Sequence, residues 1–319
     1  MKNFFKNIFC SIGGLRVICI ISTVVAIALG VLLLIPDKEE VTLPTDTQSE
    51  VSTPDNQEDT TGKIYYNEGA LGQMWISVLP NVPKSNVAKY SFRETDEGYK
   101  YYINSEGEKT SMIGIDVSYY QGEIDWQKVK AAGIEYAILR CGLRGYETGE
   151  LRVDTKFHEY IKGANDAGIP VGVYFFSQAI SPEEAKEEAG FVLDQIKGYK
   201  IDFPIVYDWE TIGEDTARTN HVSPDMLTDC TVAFCEEIKA AGFTPMYYTN
   251  RNIGYRKLDL SKLCDYDLWI ADFNEYPSFY YKYTMWQYSY TGRVDGIEND
   301  VDLNVCFKNY AEENPDRLS

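Results

Sequence analysis

The stretch FPIVYDWE, residues 203–210, ends an apolar run on two carboxylates, Asp208 and Glu210. Read as a short buried strand, it puts Val206, Asp208 and Glu210 on one face and Ile205, Tyr207 and Trp209 on the other, since successive side chains alternate. Acids on an apolar face are costly unless they are paired, hydrogen-bonded or neutralised. Two neighbouring carboxyls also push their pKa values apart, leaving one ionised and the other protonated near neutral pH. A proton held beside a charge is what acid-assisted cleavage of a glycosidic bond requires. The plainer reading is a strand-end pair that meets water or a lysine.

The elements that must position this pair begin at Met112. Apolar runs at IGIDVS, EYAILRCG, IPVGVYFFS, FPIVYDWE and TPMYYTN alternate with segments carrying helix signals. In SPEEAKEEAGFVLDQIKG, Ser181 is placed as N-cap, Pro182 at the first position, Glu184 to complete a capping box and Gly198 as C-terminal cap. A further helix runs from Ser223-Pro224 to Gly242, and DWQKVKAAG and DTKFHEYIKGANDAG also stop on glycine. After Asn250 the runs DLWIADF, YTMWQYS and VDLNV follow with short connections. Eight strands, five with helices and three mostly without, predict an α/β fold: a modified TIM-like (β/α)5(β)3 barrel over residues 112–310. Such a barrel carries its functional groups at the carboxyl ends of its strands.

Those ends hold Asp116 on the first strand, Tyr174 and Phe176 on the third, and Asp208 and Glu210 on the fourth. Tyr248 and Asn250 end the fifth, Asp272 the sixth, Trp286 and Gln287 lie in the seventh, and Asp302 opens the last. Converging acids interleaved with aromatic rings predict a carbohydrate cleft, because sugars offer hydroxyls to bond and C–H faces to stack. Calcium is the rival for an acid cluster and prefers closely spaced Asp and Asn oxygens in a glycine-containing loop. Only Gly296–Asp302 has that form, and neither a metal nor a cofactor is expected.

In order, GIDVSYYQGEIDWQKVKAAGIEYAILRCG, IPVGVYFF, FPIVYDWE, PMYYTN, LWIADF and WQYSYTGRVDGIENDVDLN resemble the pattern of the glycoside hydrolase family 25 lysozymes, the Chalaropsis-type N-acetylmuramidases, from about Ile113 to Cys306. The resemblance implies a cofactor-free enzyme that cleaves the β-1,4 bond between N-acetylmuramic acid and N-acetylglucosamine in peptidoglycan. It implies Glu210 as general acid and Asp208 as the neighbouring carboxylate. Asp116 and Asp302 match the other acids of the family's cleft, and Asp272 falls at a position that varies. The third strand departs from the pattern, ending FFSQA where relatives often have YSYA, and Trp209 is bulky where a smaller residue is usual. The second catalytic role stays open between a carboxylate nucleophile and the substrate's own N-acetyl group. A non-catalytic wall-binding protein and a chitinase-like glycosidase are the competing functions.

The remainder of the chain sets context. Its net charge of −19 argues against a nucleic-acid partner. Its two histidines, His158 and His221, have no ligand spacing. Residues 17–35 form an uncharged run long enough to cross a bilayer, preceded in residues 1–16 by Lys2, Lys6 and Arg16. The positive-inside rule then keeps the N-terminus cytoplasmic and the rest outside; a cleaved signal peptide is the alternative. Residues 36–62 carry eight acids and one lysine and read as a disordered tether. Residues 63–111 read as a small β-rich leader and 311–319 as a tail. Five cysteines lie beyond the apolar run, an odd number that supports no pairing. A monomeric bacterial surface enzyme, anchored in the cell membrane and acting on the nearby wall, is the combined expectation.

Overall fold

The computed structural model describes residues 59, 61–67 and 72–313. The expected membrane helix and nearly all of the tether lie outside the described residues. Among those described, no helix is long and apolar enough to cross a membrane.

The described chain opens with two antiparallel hairpins, β1 (Lys63–Asn67) with β2 (Gln73–Ser77) and β3 (Phe92–Glu94) with β4 (Lys100–Tyr102). Strand–helix units follow: β5 (Met112–Val117) and α1 (Trp126–Ala131), then β6 (Tyr136–Arg144) and α2 (Phe157–Ala167) with a short strand β7 (Leu151–Val153) between them. Next come β8 (Val171–Ser177) with α3 (Pro182–Gln195), β9 (Ile205–Trp209) with α4 (Pro224–Ala240), and β10 (Pro245–Asn250) with α5 (Arg251–Arg256) and α6 (Leu260–Leu263). The last strands are β11 (Asp267–Ala271), β12 (Met285–Gly292) and β13 (Val301–Cys306), followed by α7 (Tyr310–Glu313). Because β5 pairs with both β6 and β13, eight strands close into a barrel in the order β5-β6-β8-β9-β10-β11-β12-β13.

Within the ring every ladder is parallel except the two made by β13. The reason is length. Only residues 293–300 join β12 to β13, and a parallel return needs a crossover of about a dozen residues or more. The reversal has a consequence for function: Asp302, at the start of β13, lies at the end where the other strands finish. The α3 helix keeps Ser181 and Pro182 in their expected places, with the Ser181 hydroxyl accepting from the Glu184 amide at 3.4 Å. The reciprocal half of the capping box is absent. The Glu184 carboxylate accepts instead from the Ile180 amide at 3.0 Å and from Arg218.

The pleat divides each strand between two apolar layers. Ile205, Tyr207 and Trp209 face outward, packed among Phe175, Leu227, Phe234 and the other residues under the helices, while Val206 joins Ile138, Met246, Trp269 and Met285 inside. The floor of the interior is filled by Tyr136 stacked on Phe203 at 4.5 Å and by Tyr310 against Phe203 at 5.4 Å. Gly114 makes room for that floor, since a Cβ there would stand 2.2 Å from the Tyr136 ring. Among the described residues the barrel is therefore plugged at this end.

Strands β11 to β13 have no long covering helix, and the leader takes that place. Phe92 meets Trp286 edge-on at 5.0 Å and Tyr102 at 5.2 Å. The Leu79 amide donates to the Tyr281 hydroxyl at 2.9 Å, and the Lys282 amide to the Pro83 carbonyl at 2.8 Å. Trp286 is wholly buried under this layer. Its expected place in the cleft is thereby corrected: Trp286 and Gln287 are adjacent on one strand, so only one of them can face inward. Phe92→Ala is expected to destabilise the protein by about 3–5 kcal/mol, read as a lower urea midpoint. An unchanged midpoint would detach the leader from the core.

Candidate active site

At the open end the interior changes from apolar to polar within one turn of the pleat. Asp116 on β5 and Asp302 on β13 are directly paired across the antiparallel ladder. Gln287 and Asn304 each donate a side-chain N–H to Asp116 Oδ2, at 2.9 and 2.8 Å. Both amides are held in that orientation from behind. Tyr248 donates its hydroxyl to Gln287 Oε1 at 3.0 Å, and Trp269 donates its indole N–H to Asn304 Oδ1 at 2.9 Å. Asp302 also hydrogen-bonds Asp116. Burial raises the Asp116 carboxyl and these donors oppose the rise. Asp302 is pushed up to about 9, by burial first and then by the Asp116 charge.

Asp208 stands beside this network on β9, in register with Phe176 on one side and Tyr248 on the other. It is buried, and its Oδ1 has no hydrogen-bond partner. Burial pushes its carboxyl well above the usual range, with the charges of Glu210 and then Asp116 adding to the rise and Arg140 opposing it. Glu210, just beyond the strand, is pushed up to about 7 by burial and then by Asp116. The expected split, with one acid raised and its neighbour left ionised, gives way to two raised carboxyls, because both are desolvated and four acids share one layer. The Glu210 charge also acts on Asp302 and Tyr248, which places all of them around one space.

Arg140 supplies the positive charge in this layer. Its Nε donates to Asp154 Oδ2 at 2.7 Å, while Nη2 is buried without a partner. Two neighbouring tyrosines, Tyr119 and Tyr120, their rings tilted by 32° with centroids 4.1 Å apart, lie 5.0 and 5.4 Å from the guanidinium. They are 42% and 57% exposed, an aromatic ledge at the rim that follows directly on β5. A grouping of acids, amides and exposed rings at a barrel mouth suits a polyhydroxylated ligand better than an apolar one.

The family model for glycosyl hydrolases family 25 matches residues 115–297 of this sequence. The chain belongs to that family. The autolytic lysozyme of Clostridium acetobutylicum is 28% identical over 195 residues, covering 60% of this chain and 55% of that protein. Lysozyme M1 of Streptomyces globisporus is 28% identical over 208 residues, 61% of this chain and 67% of its own length. Among solved structures, the modular autolysin LytC from Streptococcus pneumoniae in complex with a synthetic peptidoglycan ligand superposes with a TM-score of 0.56 at 23% identity, over 79% of this chain and 58% of that one. That last likeness is one of fold. The family 25 chain described here thus spans little more than half the length of two of these relatives.

Of the residues that sequence reasoning nominated, the family 25 barrel brings Asp116, Tyr174, Phe176, Asp208, Glu210, Tyr248, Gln287 and Asp302 to one end of its interior. Tyr174 and Tyr248 both stand edge-on to Trp269, at 6.4 and 5.0 Å. Two others are engaged elsewhere. Asn250 caps α5, its Oδ1 accepting from the Ile253 amide at 3.0 Å. Asp272 ties down the loop after β11, accepting from the Ser278 amide at 2.6 Å and from Asn274 Nδ2 at 2.6 Å. Gly296–Asp302 serves as a structural loop, with Asn299 donating to the Tyr120 carbonyl at 3.1 Å. Among the described residues no group of acids, cysteines and histidines could hold a metal ion. Sequence reasoning missed Arg140, Asn304 and the Tyr119–Tyr120 ledge. Asn304 could have been found by counting two residues along the strand from Asp302.

Proposed function

We propose that this protein is a peptidoglycan muramidase, with Glu210 donating the proton to the glycosidic oxygen and Asp208 assisting. The observation that carries the reading is the layer of four carboxyls at the end of the barrel opposite the aromatic floor, one of them, Glu210, partly exposed and pushed up to about 7. A carboxyl of that pKa still holds its proton in slightly acid solution and can take one back in the second step. Asp208 and Glu210 come from the same strand end, so they stand side by side and do not straddle a bond. That favours the substrate's N-acetyl group as nucleophile. The acetamide oxygen attacks the anomeric carbon as the glycosidic C–O bond breaks, Glu210 gives its proton to the leaving oxygen, and Asp208 accepts the amide N–H. Water, deprotonated by Glu210, then opens the cyclic intermediate.

Incubating the full chain with purified peptidoglycan and assaying new reducing ends tests the proposal. Muramic-acid ends support it, glucosamine ends point to a chitinase-like specificity, and binding without new ends leaves a wall-binding protein. The rate is expected to fall as pH rises through about 7, where Glu210 loses its proton; a rate still climbing from pH 7 to 9 would remove Glu210 from the acid role. The apolar run at 17–35 and the acidic segment after it support a single-pass membrane anchor with the barrel outside, facing the cell's own wall. Recovery of the full chain in the soluble fraction would count against that anchor.

A further inference from the structure

We propose that Gln178 is a positioning residue that holds the backbone of Glu210 so that its carboxyl stays over the acid layer; this rests on the reading of Glu210 as proton donor. Glu210 stands one residue beyond the end of β9. On one side the last residue of β9 in register is Trp209, opposite Ser177; on the other it is Asp208, opposite Tyr248. Beyond Glu210 the chain runs through residues 211–217 without helix or strand. A donor one residue past the last register pair needs a further restraint, because a misplacement of roughly 1 Å can cost about 10²-fold in rate.

The side chain of Gln178 supplies it. Wholly buried, its Nε2 donates to the Glu210 carbonyl at 3.0 Å and to the Ser177 carbonyl at 2.8 Å. Its Oε1 accepts from the Thr219 hydroxyl at 2.9 Å. Those three bonds determine which way round the amide lies, since a flipped amide would set oxygen against two carbonyls. Gln178 thus joins the end of β8, the end of β9 and the segment carrying Thr219.

The anchor itself is rigid. The Gln178 carbonyl accepts from Arg218 Nη1 at 3.1 Å, and Arg218 grips both oxygens of Glu184 on α3 at 2.8 and 2.7 Å. Next to it, the Ser177 hydroxyl donates to buried Glu188 Oε2 at 2.6 Å, and Glu188 Oε1 accepts from Arg144 Nε at 2.7 Å. Two charged pairs on α3 therefore hold the strand end from which Gln178 reaches across.

The test is Gln178→Met, which keeps the length and removes all three bonds, assayed in the full chain beside Glu210→Gln and the double variant. Expected is a fall in kcat of about 10–100-fold with KM within about twofold, and a displaced alkaline limb of the pH–rate profile. The double variant should be no slower than Glu210→Gln alone, because a residue acting through Glu210 has nothing left to position. Losses that multiply, or a fall that merely tracks the folded fraction with the pH limb unmoved, would overturn the proposal. Should Gln178→Met fail to fold, Thr219→Val removes only the bond that orients the amide; it should lower kcat in the same direction and less, and a wild-type rate and pH limb there would overturn the proposal too. Near-normal activity in Glu210→Gln would instead sink the reading of Glu210 itself.

Discussion

Glu210→Gln is expected to lower kcat by about 10²–10⁴-fold, the usual contribution of a positioned general acid, with glycan binding nearly unchanged. The amide keeps the shape and polarity of the side chain but has no proton to give. The other side chains in a position to hold glycan under this proposal are different residues: the ledge of Tyr119 and Tyr120, Tyr248 and Gln287, and the Asp116 network. Binding is read by co-sedimentation with purified peptidoglycan and turnover by reducing ends. A variant that bound normally and turned over within about tenfold of wild type would leave Glu210 with an electrostatic role at most.

The second large effect is expected of Asp208→Asn, and its value lies in separating activity from stability. Turnover should fall by about 10²–10³-fold, the usual loss when one preorganised electrostatic contact to the transition state is removed: the acetamide N–H placed against Asp208 by bound glycan favours its ionised form, and asparagine can accept the N–H but cannot carry that charge. Stability should hold or improve. Asp208 Oδ1 has no partner to lose, and burial holds the carboxyl well above its ordinary range. The sign follows from proton linkage. A carboxyl raised in the folded state keeps its proton where the unfolded chain has released it, so its contribution is fully present below about pH 3.9 and is lost progressively as pH climbs towards the folded value. Asparagine has no such dependence. The Tm difference between variant and wild type should therefore widen in the variant's favour from pH 4 to pH 8. A variant less stable at pH 8 than wild type would mean that Asp208 is ionised and paired in the native protein.

Much of the barrel was legible in the chain. The capping serines, the prolines after them and the glycine stops mark helices because they answer local needs: a bonded first amide, a missing N–H, a left-handed residue. The apolar runs mark buried strands for the same local reason. Period-two alternation also placed Asp208 inward and Trp209 outward before any tertiary contact was known, and Trp209 does lie in the outer layer.

What the chain could not display were choices made between distant segments. Trp286 and Gln287 both looked fit for a cleft, and only the pairing of β12 with its neighbours decided which turned inward. The direction of β13 followed from a short connection, but its effect, Asp302 set against Asp116, needed the ring to close. Residues 63–111 read as a small β-rich leader, but only the tertiary structure showed that their aromatics cover a wall of the barrel that has no long helix of its own. The acidity of the Asp208–Glu210 pair was the clearest case. Sequence placed the two acids side by side, whereas burial and two more acids from β5 and β13 determined that both carboxyls would be raised. Desolvation is a property of everything packed around a group, and no local run of residues records it.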